Sequence, residues 1–174
     1  VVLETTDSDK HWYVVLTRTN SERKVRDYFQ LQEVDTFLPV QNRVIEREGK
    51  RIERERLLLP RMVFVHISRQ EMAAVRSTLN VYDFLRDRST GAPTCIPDAQ
   101  MADFRYMLDY SQDQVILTGE SIPKGTRVVV AKGDLQGLRG ELVRYNNKYH
   151  ILVRIDMFGS AMVTIPASYV RKEK

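Results

Sequence analysis

The uneven distribution of glycine constrains the fold of this 174-residue chain more than any other feature. Six of the eight glycines lie from Gly119 onward, whereas the first 110 residues contain only Gly49 and Gly91. From Pro123 onward helical periodicity also ends, and short β-branched runs alternate with turn signals such as Asn146-Asn147. Two domains of different construction are therefore expected.

Charge changes at the same place along the chain. Residues 1–110 hold 17 basic and 17 acidic side chains, whereas residues 121–174 hold 10 basic and 4 acidic ones. The net charge of +4 therefore belongs to the C-terminal part. Together the two shifts predict a first domain at residues 11–110, a linker at 111–121 and a second domain at 122–174. Residues 1–10 are expected to be a disordered N-terminus.

Composition excludes several classes of protein. With 43% hydrophobic and 29% charged residues the chain is globular, and no apolar run approaches the roughly 20 residues that cross a bilayer. The start VVLETTDSDK has neither the basic end nor the apolar centre of a signal peptide. Cys95 has no second cysteine to pair with, and the three histidines are too scattered for a zinc motif. A soluble, cytoplasmic protein without a metal or cofactor is expected.

The first domain mixes strands and helices. Trp12–Arg18 predicts a strand, after which Val25, Tyr28 and Phe29 recur on one face of a helix over Ser21–Gln32, capped by Asn20 or Ser21. A hairpin is predicted next, with strands Phe37–Arg47 and Lys50–Arg56 and a turn at Glu48-Gly49. It is followed by a strand in Leu57–Ile67, with an edge or bulge at Pro60, and by a helix that opens at the Ser68-x-x-Glu71 capping box. The last predicted elements are a strand at Val81–Arg86 and a helix from Pro97-Asp98 whose apolar face is Met101, Phe104 and Leu108. The expected class is α+β, with an antiparallel sheet and flanking helices.

The second domain contains short strands only. The predicted strands are Val128–Val130, Glu141–Tyr145, Tyr149–Ile155 and Ala161–Ile165, a pattern typical of a small closed β-barrel. Its glycines follow the spacing Gly125-x2-Val128-x-Val130-x2-Gly133-x3-Gly137-x2-Gly140-x-Leu142. Glycine at this density relieves steric conflict where tight turns lead into bent strands.

This glycine spacing resembles the KOW motif, and the preceding part of the chain resembles the N-terminal domain of NusG-type transcription elongation factors. The second resemblance rests on Trp12-Tyr13-Val14-Val15, on Arg54–Val65 with Pro60 in its middle, on Val75-Arg76-Ser77 and on Phe158-Gly159. It implies an N-terminal NusG-type domain at 11–110 and a small C-terminal KOW β-barrel at 122–174.

Several details are more similar to the specialised paralogues, the UpxY antiterminators and more distantly RfaH, than to the general factor. One is the helix start Ile96-Pro97-Asp98-x-Gln100-Met101. Leu58-Leu59-Pro60-Arg61-Met62 also stands where the general factor has Phe-Phe-Pro-Gly-Tyr, and Asp134-Leu135 replaces a Pro-Phe pair. The resemblance therefore implies a bacterial, operon-specific antiterminator, a monomer that binds RNA polymerase and suppresses pausing and termination.

The first candidate site is an apolar surface. In the family such a surface binds the clamp helices of the largest polymerase subunit, and the matching residues are Leu16, Leu59, Pro60, Met62 and Phe64. Methionine suits a surface of this kind because its thioether adapts to a partner. The alternative is that alternate residues of the Leu59–Val65 strand face the core.

The second candidate site is basic. Arg18, Asn20, Arg23 and Lys24 cluster where a helix start points free amides outward, which suits phosphate, and Tyr28 offers a stacking face. The resemblance implies a contact with non-template DNA or nascent RNA here, and the alternative is a solvated helix surface. The hairpin over Arg43–Arg56 carries six basic and four acidic residues, which is typical of a soluble ribbon, so it is only a secondary site for nucleic acid or polymerase.

The third candidate site lies in two loops of the barrel. Related KOW domains dock the ribosomal protein NusE or the termination factor Rho there, and the matching residues are Gly133, Leu135, Gly137, Met157, Phe158 and Gly159. Leu135, Met157 and Phe158 are either exposed anchors or barrel core. A competing use of the barrel is RNA binding through Lys124, Arg127, Lys132, Arg139 and Lys148.

Catalysis finds no support in the sequence, because no nucleophile is spaced with a base and the glycine series lacks the GxxxxGK[ST] phosphate loop. The expectation is a non-enzymatic elongation factor that recruits a second partner through its KOW domain. The alternative is an RNA-binding KOW protein of the ribosome, which would be expected to carry basic excess throughout. The neutral first domain argues against that alternative.

Overall fold

A computed structural model of the chain describes residues 9–174. The predicted disordered N-terminus lies outside this range except for Asp9 and Lys10. The chain divides into two compact units, one formed by residues up to 39 with 57–98 and the other by 40–56 with 99–174. The boundaries predicted at residues 110 and 122 differ from this division by spatial contact, and they stay a prediction about which parts fold as domains.

The elements follow one another with short connections. In chain order they are β1 (His11–Thr17), α1 (Glu22–Leu31), β2 (Asp35–Phe37), β3 (Val40–Arg47), β4 (Lys50–Leu57), β5 (Met62–Ile67), a 3-10 turn (Arg69–Glu71), α2 (Met72–Arg76), β6 (Val81–Phe84), β7 (Cys95–Ile96), α3 (Asp98–Tyr110), β8 (Ile116–Thr118), β9 (Thr126–Val130), β10 (Arg139–Tyr145), β11 (Lys148–Ile155), β12 (Gly159–Thr164), a 3-10 turn (Ala167–Tyr169) and β13 (Val170–Lys172). Helices and antiparallel sheets coexist, which confirms the α+β class.

The first unit is built on an antiparallel sheet in the order β2-β5-β1-β6, with β7 also pairing with β1. Its central strands are apolar on both faces: Val14, Val15, Val63 and Val65 are completely buried. Helix α1 packs on β2 and β5, and α2 packs on β6. The β-branched runs of the sequence therefore form the core of this unit.

Helix α1 begins as predicted, but it does so without the predicted cap. Ser21 occupies the N-cap position, yet its hydroxyl donates to the Thr19 carbonyl at 3.4 Å and makes no bond to the helix amides. Val25 and Phe29 are buried, whereas Tyr28 is 48% exposed. The helix is therefore held mainly by its apolar face.

The predicted long strand through Pro60 is interrupted. Strand β4 ends at Leu57, the chain turns over residues 58–61, and β5 starts only at Met62. Arg61 adopts a left-handed conformation at φ 64°, and its carbonyl accepts the Thr17 amide at 2.9 Å. Because proline cannot donate to a ladder, the break falls where the sequence placed the irregularity.

The hairpin of β3 and β4 is a separate two-stranded ribbon. Its turn residues Glu48 and Gly49 both have positive φ, 52° and 73°, as a tight two-residue hairpin turn requires. Asn146 and Asn147 form an equivalent turn between β10 and β11, with φ values of 49° and 62°. Both predicted turns are confirmed.

The second unit contains a six-stranded antiparallel sheet in the order β13-β9-β10-β11-β12-β8. The four strands that the sequence predicts are present, while β8 and β13 are additional; β8 lies within the predicted linker and pairs with β12. In the described part of the chain no ladder joins β13 to β8, so the sheet is open, unlike the closed barrel that was predicted. Its core includes Val143, Leu152 and Met162.

At position 140 of this sheet, a steric constraint explains why the residue is glycine. A Cβ atom at this position would lie 2.6 Å from the Leu152 carbonyl oxygen and 3.0 Å from the Ile151 side chain. Because the backbone oxygen cannot move without breaking the β10–β11 ladder, only glycine fits. Gly140 is the second residue of β10, so glycine here relieves a steric conflict where a turn leads into a strand, as predicted.

Candidate functional site

Two of the predicted apolar site residues are direct neighbours on adjacent strands. Leu16 of β1 and Met62 of β5 are partners in the antiparallel register, so their side chains share one face of the sheet. Both are half-buried, Leu59 is also half-buried, and Pro60 is exposed. Together these residues form a partly accessible apolar surface at one end of the sheet.

Phe64 lies on the same face but is completely buried. Its ring packs against the Phe37 ring with centroids 5.9 Å apart, across the β2–β5 pairing. The predicted exposed position of Phe64 is therefore not observed, because the neighbouring strand β2 contributes an aromatic ring to this part of the sheet. Phe64 therefore faces the core, which is the alternative that the sequence left open for residues of this strand.

The turn before Met62 is fastened to the start of helix α1. Glu22 is only 5% exposed, and its carboxylate accepts the Arg61 backbone amide at 2.8 Å. Arg61 in turn donates from Nε to the Thr17 carbonyl at 3.2 Å. A buried carboxylate satisfied by a backbone amide fixes the turn relative to the helix.

The predicted basic cluster therefore lies beside this apolar end. Arg18, Asn20, Arg23 and Lys24 are all exposed, and Asn20 has a left-handed backbone at φ 58°. The Arg18 amide donates to the Asn80 carbonyl at 2.9 Å, which holds the start of the segment to the loop before β6. Cationic side chains and a helix start consequently occupy the surface next to Leu16.

Tyr28 is one turn further along α1. Its ring is 48% exposed and meets the Phe29 ring edge-on at 6.0 Å. A half-exposed tyrosine anchored by a buried phenylalanine is a suitable stacking platform for a base.

The sequence pattern does not single out two other apolar side chains of this unit. Leu79 is 83% exposed and Tyr82 is 70% exposed. Both lie near the β6 end that pairs with Leu16 and Thr17. The available signal was an apolar residue inside the polar turn Ser77-Thr78-Leu79-Asn80, where no core position is expected.

The first loop of the predicted partner site is folded back on its own sheet. Gly133 and Gly137 have φ values of 90° and 92°, and the Gly137 amide donates to the Val130 carbonyl at 2.9 Å. Leu135 is only 7% exposed. Of the two alternatives for Leu135, the structure shows the core position.

The second loop exposes one apolar side chain. Met157 is 50% exposed and has a φ of 74°, Phe158 is half-buried, and Gly159 has a φ of 98°. A Cβ at Gly159 would overlap the Thr118 carbonyl oxygen of the neighbouring β8, so glycine is required there. Met157 is thus accessible to solvent, as one of the two alternatives for it predicts.

Helix α3 belongs to the same unit and contacts both loops. The Tyr106 hydroxyl donates to the Gln136 carbonyl at 2.7 Å. The Gln100 amide group accepts the Asp156 backbone amide at 2.8 Å and donates to the Asp156 carboxylate at 3.1 Å. The two predicted partner loops are thus both hydrogen-bonded to helix α3.

An ion pair between the buried Glu141 and the partly exposed Arg154 joins three segments of the second unit. Arg154 donates to both carboxylate oxygens of Glu141, at 2.7 and 3.1 Å, and to the Ile122 carbonyl at 2.9 Å, while the Gly125 amide donates to Glu141 at 3.0 Å. The hydrogen bonds from Arg154 hold the pKa of Glu141 below its ordinary value, and Glu141 raises the pKa of Arg154. The pair is structural, because all its bonds join elements of the unit.

Three of the five cations predicted for direct RNA binding have local partners. Arg127 and Arg139 form ion pairs with Glu173 at 3.2 and 3.5 Å. The Lys132 ammonium lies 4.9 Å from the centre of the Tyr169 ring. Glu173 offsets part of the positive charge of the two arginines, whereas the contact with the Tyr169 ring leaves the charge of Lys132 unchanged.

Within residues 9–174 no cluster of three or more His, Cys, Asp or Glu side chains is arranged to hold a metal ion. Burial raises the pKa of the Cys95 thiol, which disfavours the nucleophilic thiolate. No helix of the described part is long and apolar enough to span a membrane.

Comparison with known proteins supports the fold and gives the family. A solved structure of NusG from Thermotoga maritima, described as showing domain interaction in that protein, matches with a TM-score of 0.52 and 19% identity over 97% of this chain and 100% of that one. The MjSpt4:Spt5 complex in conformation B matches with a TM-score of 0.33 and 14% identity, over 92% and 95% of the two chains. No curated protein matches the sequence significantly.

The family comparison matches residues 10–105 to the NusG family, described as transcription termination factor nusG. The match covers more than half of the chain, from the strand that begins the first sheet to the middle of helix α3. This chain belongs to the NusG family.

Proposed function

We propose that this protein is a non-enzymatic transcription elongation factor, specifically an operon-specific antiterminator related to the UpxY group. It binds RNA polymerase at the clamp helices of the largest subunit, and it suppresses pausing and termination. Membership of the NusG family supports the general role, and the residues Leu58–Met62, which depart from the general factor, support the specialised one.

The observation that carries the proposal is the half-buried pair Leu16 and Met62 at one end of the first sheet. Apolar side chains left partly accessible at a sheet end are suited to a protein partner. Leu59 and Pro60 extend this surface, while Phe64 supports it from the core.

The adjacent basic segment gives the nucleic-acid contact. The ligand is single-stranded non-template DNA or nascent RNA near the polymerase surface. Its phosphates contact Arg18, Asn20, Arg23 and Lys24, and one of its bases stacks on Tyr28. The hydrogen bond from the Arg61 amide to the Glu22 carboxylate supports this arrangement, because it helps to hold the basic segment and the apolar surface at a fixed distance from each other.

A ligand that binds the closed clamp more tightly than the open clamp shifts polymerase toward the closed state by that difference in binding free energy. Such a shift shortens pauses without any chemical step by the factor.

For the second unit we propose a KOW-type module that recruits NusE, Rho or another protein through Gly133, Gly137, Met157 and Gly159, with Leu135 and Phe158 supporting the loops. Tethering this partner raises its effective concentration near the transcript. An RNA-binding ribosomal role is the weaker candidate, since Arg127, Arg139 and Lys132 have local partners.

In vitro transcription on candidate leader templates, with and without this protein, tests the function. Shorter pause lifetimes and increased read-through at terminators are expected. Unchanged pausing on every template, together with co-sedimentation with ribosomal subunits in high salt, would instead favour the ribosomal role.

A further inference from the structure

The charges of the β3–β4 hairpin are sorted by face, although they alternate in the sequence. Its two-residue turn at Glu48-Gly49 makes Arg47 the partner of Lys50. At the other end of the ribbon the Leu58 amide donates to the Pro39 carbonyl at 2.9 Å, which fits the same register. The two strands therefore keep one pairing register from this turn to the base of the hairpin.

Partners in an antiparallel register share a face, and neighbours along a strand lie on opposite faces. One face, here called the basic face, carries five of the six cations of the hairpin. Its members are Arg43, Arg47, Lys50, Arg54 and Arg56, with Ile45 and Ile52 opposite each other in the middle. The other face carries Glu46, Glu53 and Glu55, with Arg51 as its single cation.

The outer part of the basic face is accessible. Arg43, Arg47, Lys50 and Arg54 are exposed, and Ile52 is 37% exposed. The base of the face is anchored instead: Gln41 is buried, donates to the Asp113 carbonyl at 2.7 Å and accepts the Val115 amide at 2.8 Å. A ribbon held at its base thus presents four exposed cations near its tip.

We propose that the basic face of the β3–β4 hairpin binds the phosphate backbone of double-stranded DNA, with the ribbon entering the major groove. Charge complementarity selects nucleic acid, because the cations lie on one face and the carboxylates on the other, so only one face can approach phosphates. Groove shape selects duplex DNA: the major groove of B-DNA admits a two-stranded ribbon, whereas that of A-form RNA is deep and too narrow.

The residues that meet the duplex are distinct from those of the proposed single-strand contact at α1. The hairpin lies in the second unit by contacts, whereas Arg18 and Tyr28 lie in the first. Duplex binding can therefore be measured without polymerase, and its failure leaves the proposed clamp binding untouched.

The test is fluorescence anisotropy of a 20-base-pair duplex titrated with the full chain at several salt concentrations. Arg54→Gln and Arg51→Gln are matched variants, since both remove an exposed arginine from β4 but on opposite faces. We expect Arg54→Gln to weaken binding and Arg51→Gln to leave it close to wild type. The double variant Arg47→Gln with Arg54→Gln should lose on the order of tenfold or more at about 0.1 M salt, and the slope of log affinity against log salt should fall by about 2.

Equal losses from Arg51→Gln and Arg54→Gln would overturn the proposal, because binding would then follow net charge and not a face. Wild-type affinity in the double variant would overturn it as well. A single strand or an RNA duplex that binds as tightly as the DNA duplex, with the same loss in the double variant, would overturn the groove assignment. Circular dichroism confirms that each variant is folded.

Discussion

The carboxylate of Glu22, the first residue of helix α1, accepts the backbone amide of Arg61 at 2.8 Å. The two residues are 39 positions apart, and Glu22 is almost completely buried. This bond joins the start of α1 to the turn that precedes Met62, in addition to the two hydrogen bonds between Thr17 and Arg61. It contributes to the relative placement of the two candidate surfaces of the first unit.

Glu22→Ala should therefore destabilise the first unit by about 1 to 3 kcal/mol, because the Arg61 amide loses a buried partner. Urea unfolding followed by the fluorescence of Trp12, the single tryptophan and a buried residue of β1, measures the loss. Glu22→Gln keeps an acceptor oxygen and should cost clearly less. Equal stability of Glu22→Ala and wild type would show that the bond is dispensable.

Acid should weaken the second unit through Glu141. Its folded pKa lies below the ordinary value of 4.5, chiefly because Arg154 donates to it, so the unfolded chain binds the proton more readily. The stabilisation is complete at a pH well above 4.5 and is lost as pH falls through the lower folded pKa. NMR signals of the Ile151 and Leu152 methyl groups, recorded as pH is lowered, report on this unit.

The matched variant is Glu141→Gln. It should be less stable at neutral pH, because the Arg154 guanidinium loses its counter-charge, and its stability should depend less on pH below 4.5. An unchanged acid profile in Glu141→Gln would mean that other carboxyl groups govern acid unfolding.

Gly140→Ala should destabilise the second unit by roughly 1 to 3 kcal/mol, because the added methyl meets the Leu152 carbonyl. Gly119→Ala is the control, since nothing lies within 4 Å of the equivalent Cβ. Thermal unfolding followed by the same methyl signals compares the two. Equal midpoints would contradict the close approach of β10 and β11.

Removal of two cations from the first unit should reduce binding to single-stranded nucleic acid. Arg18→Gln with Lys24→Gln should lower the salt slope of binding to a single-stranded oligonucleotide by about 1.4, from two lost phosphate contacts. Tyr28→Leu should weaken binding with little change in that slope, because stacking releases no counterions. A slope that stays at the wild-type value in the double variant would remove this segment from the nucleic-acid surface.

Local pattern was sufficient for elements whose structure depends on nearby residues. The tight turns at Glu48-Gly49 and Asn146-Asn147 follow from residues that tolerate positive φ. The buried face of α3 follows from the spacing of Met101, Phe104 and Leu108.

Elements that depend on distant partners were not predictable in the same way. Strand β8 has three residues in a polar segment, and its pairing is decided by β12, some 40 positions later. The burial of Phe64 depends on Phe37 of another strand, and Glu22 has its partner in a distant turn.

The binding of RNA polymerase by Met62→Asp tests the central claim most directly. The variant places a charge at a half-buried apolar position of the proposed clamp-binding surface, and it should raise the Kd for polymerase core enzyme by about tenfold or more. Leu31→Asp, at an 81% exposed leucine of the same unit, is the control and should bind as wild type. Leu59→Asp repeats the test outside the strands, and Trp12 fluorescence verifies that each variant is folded. Wild-type affinity of folded Met62→Asp and Leu59→Asp would contradict the account.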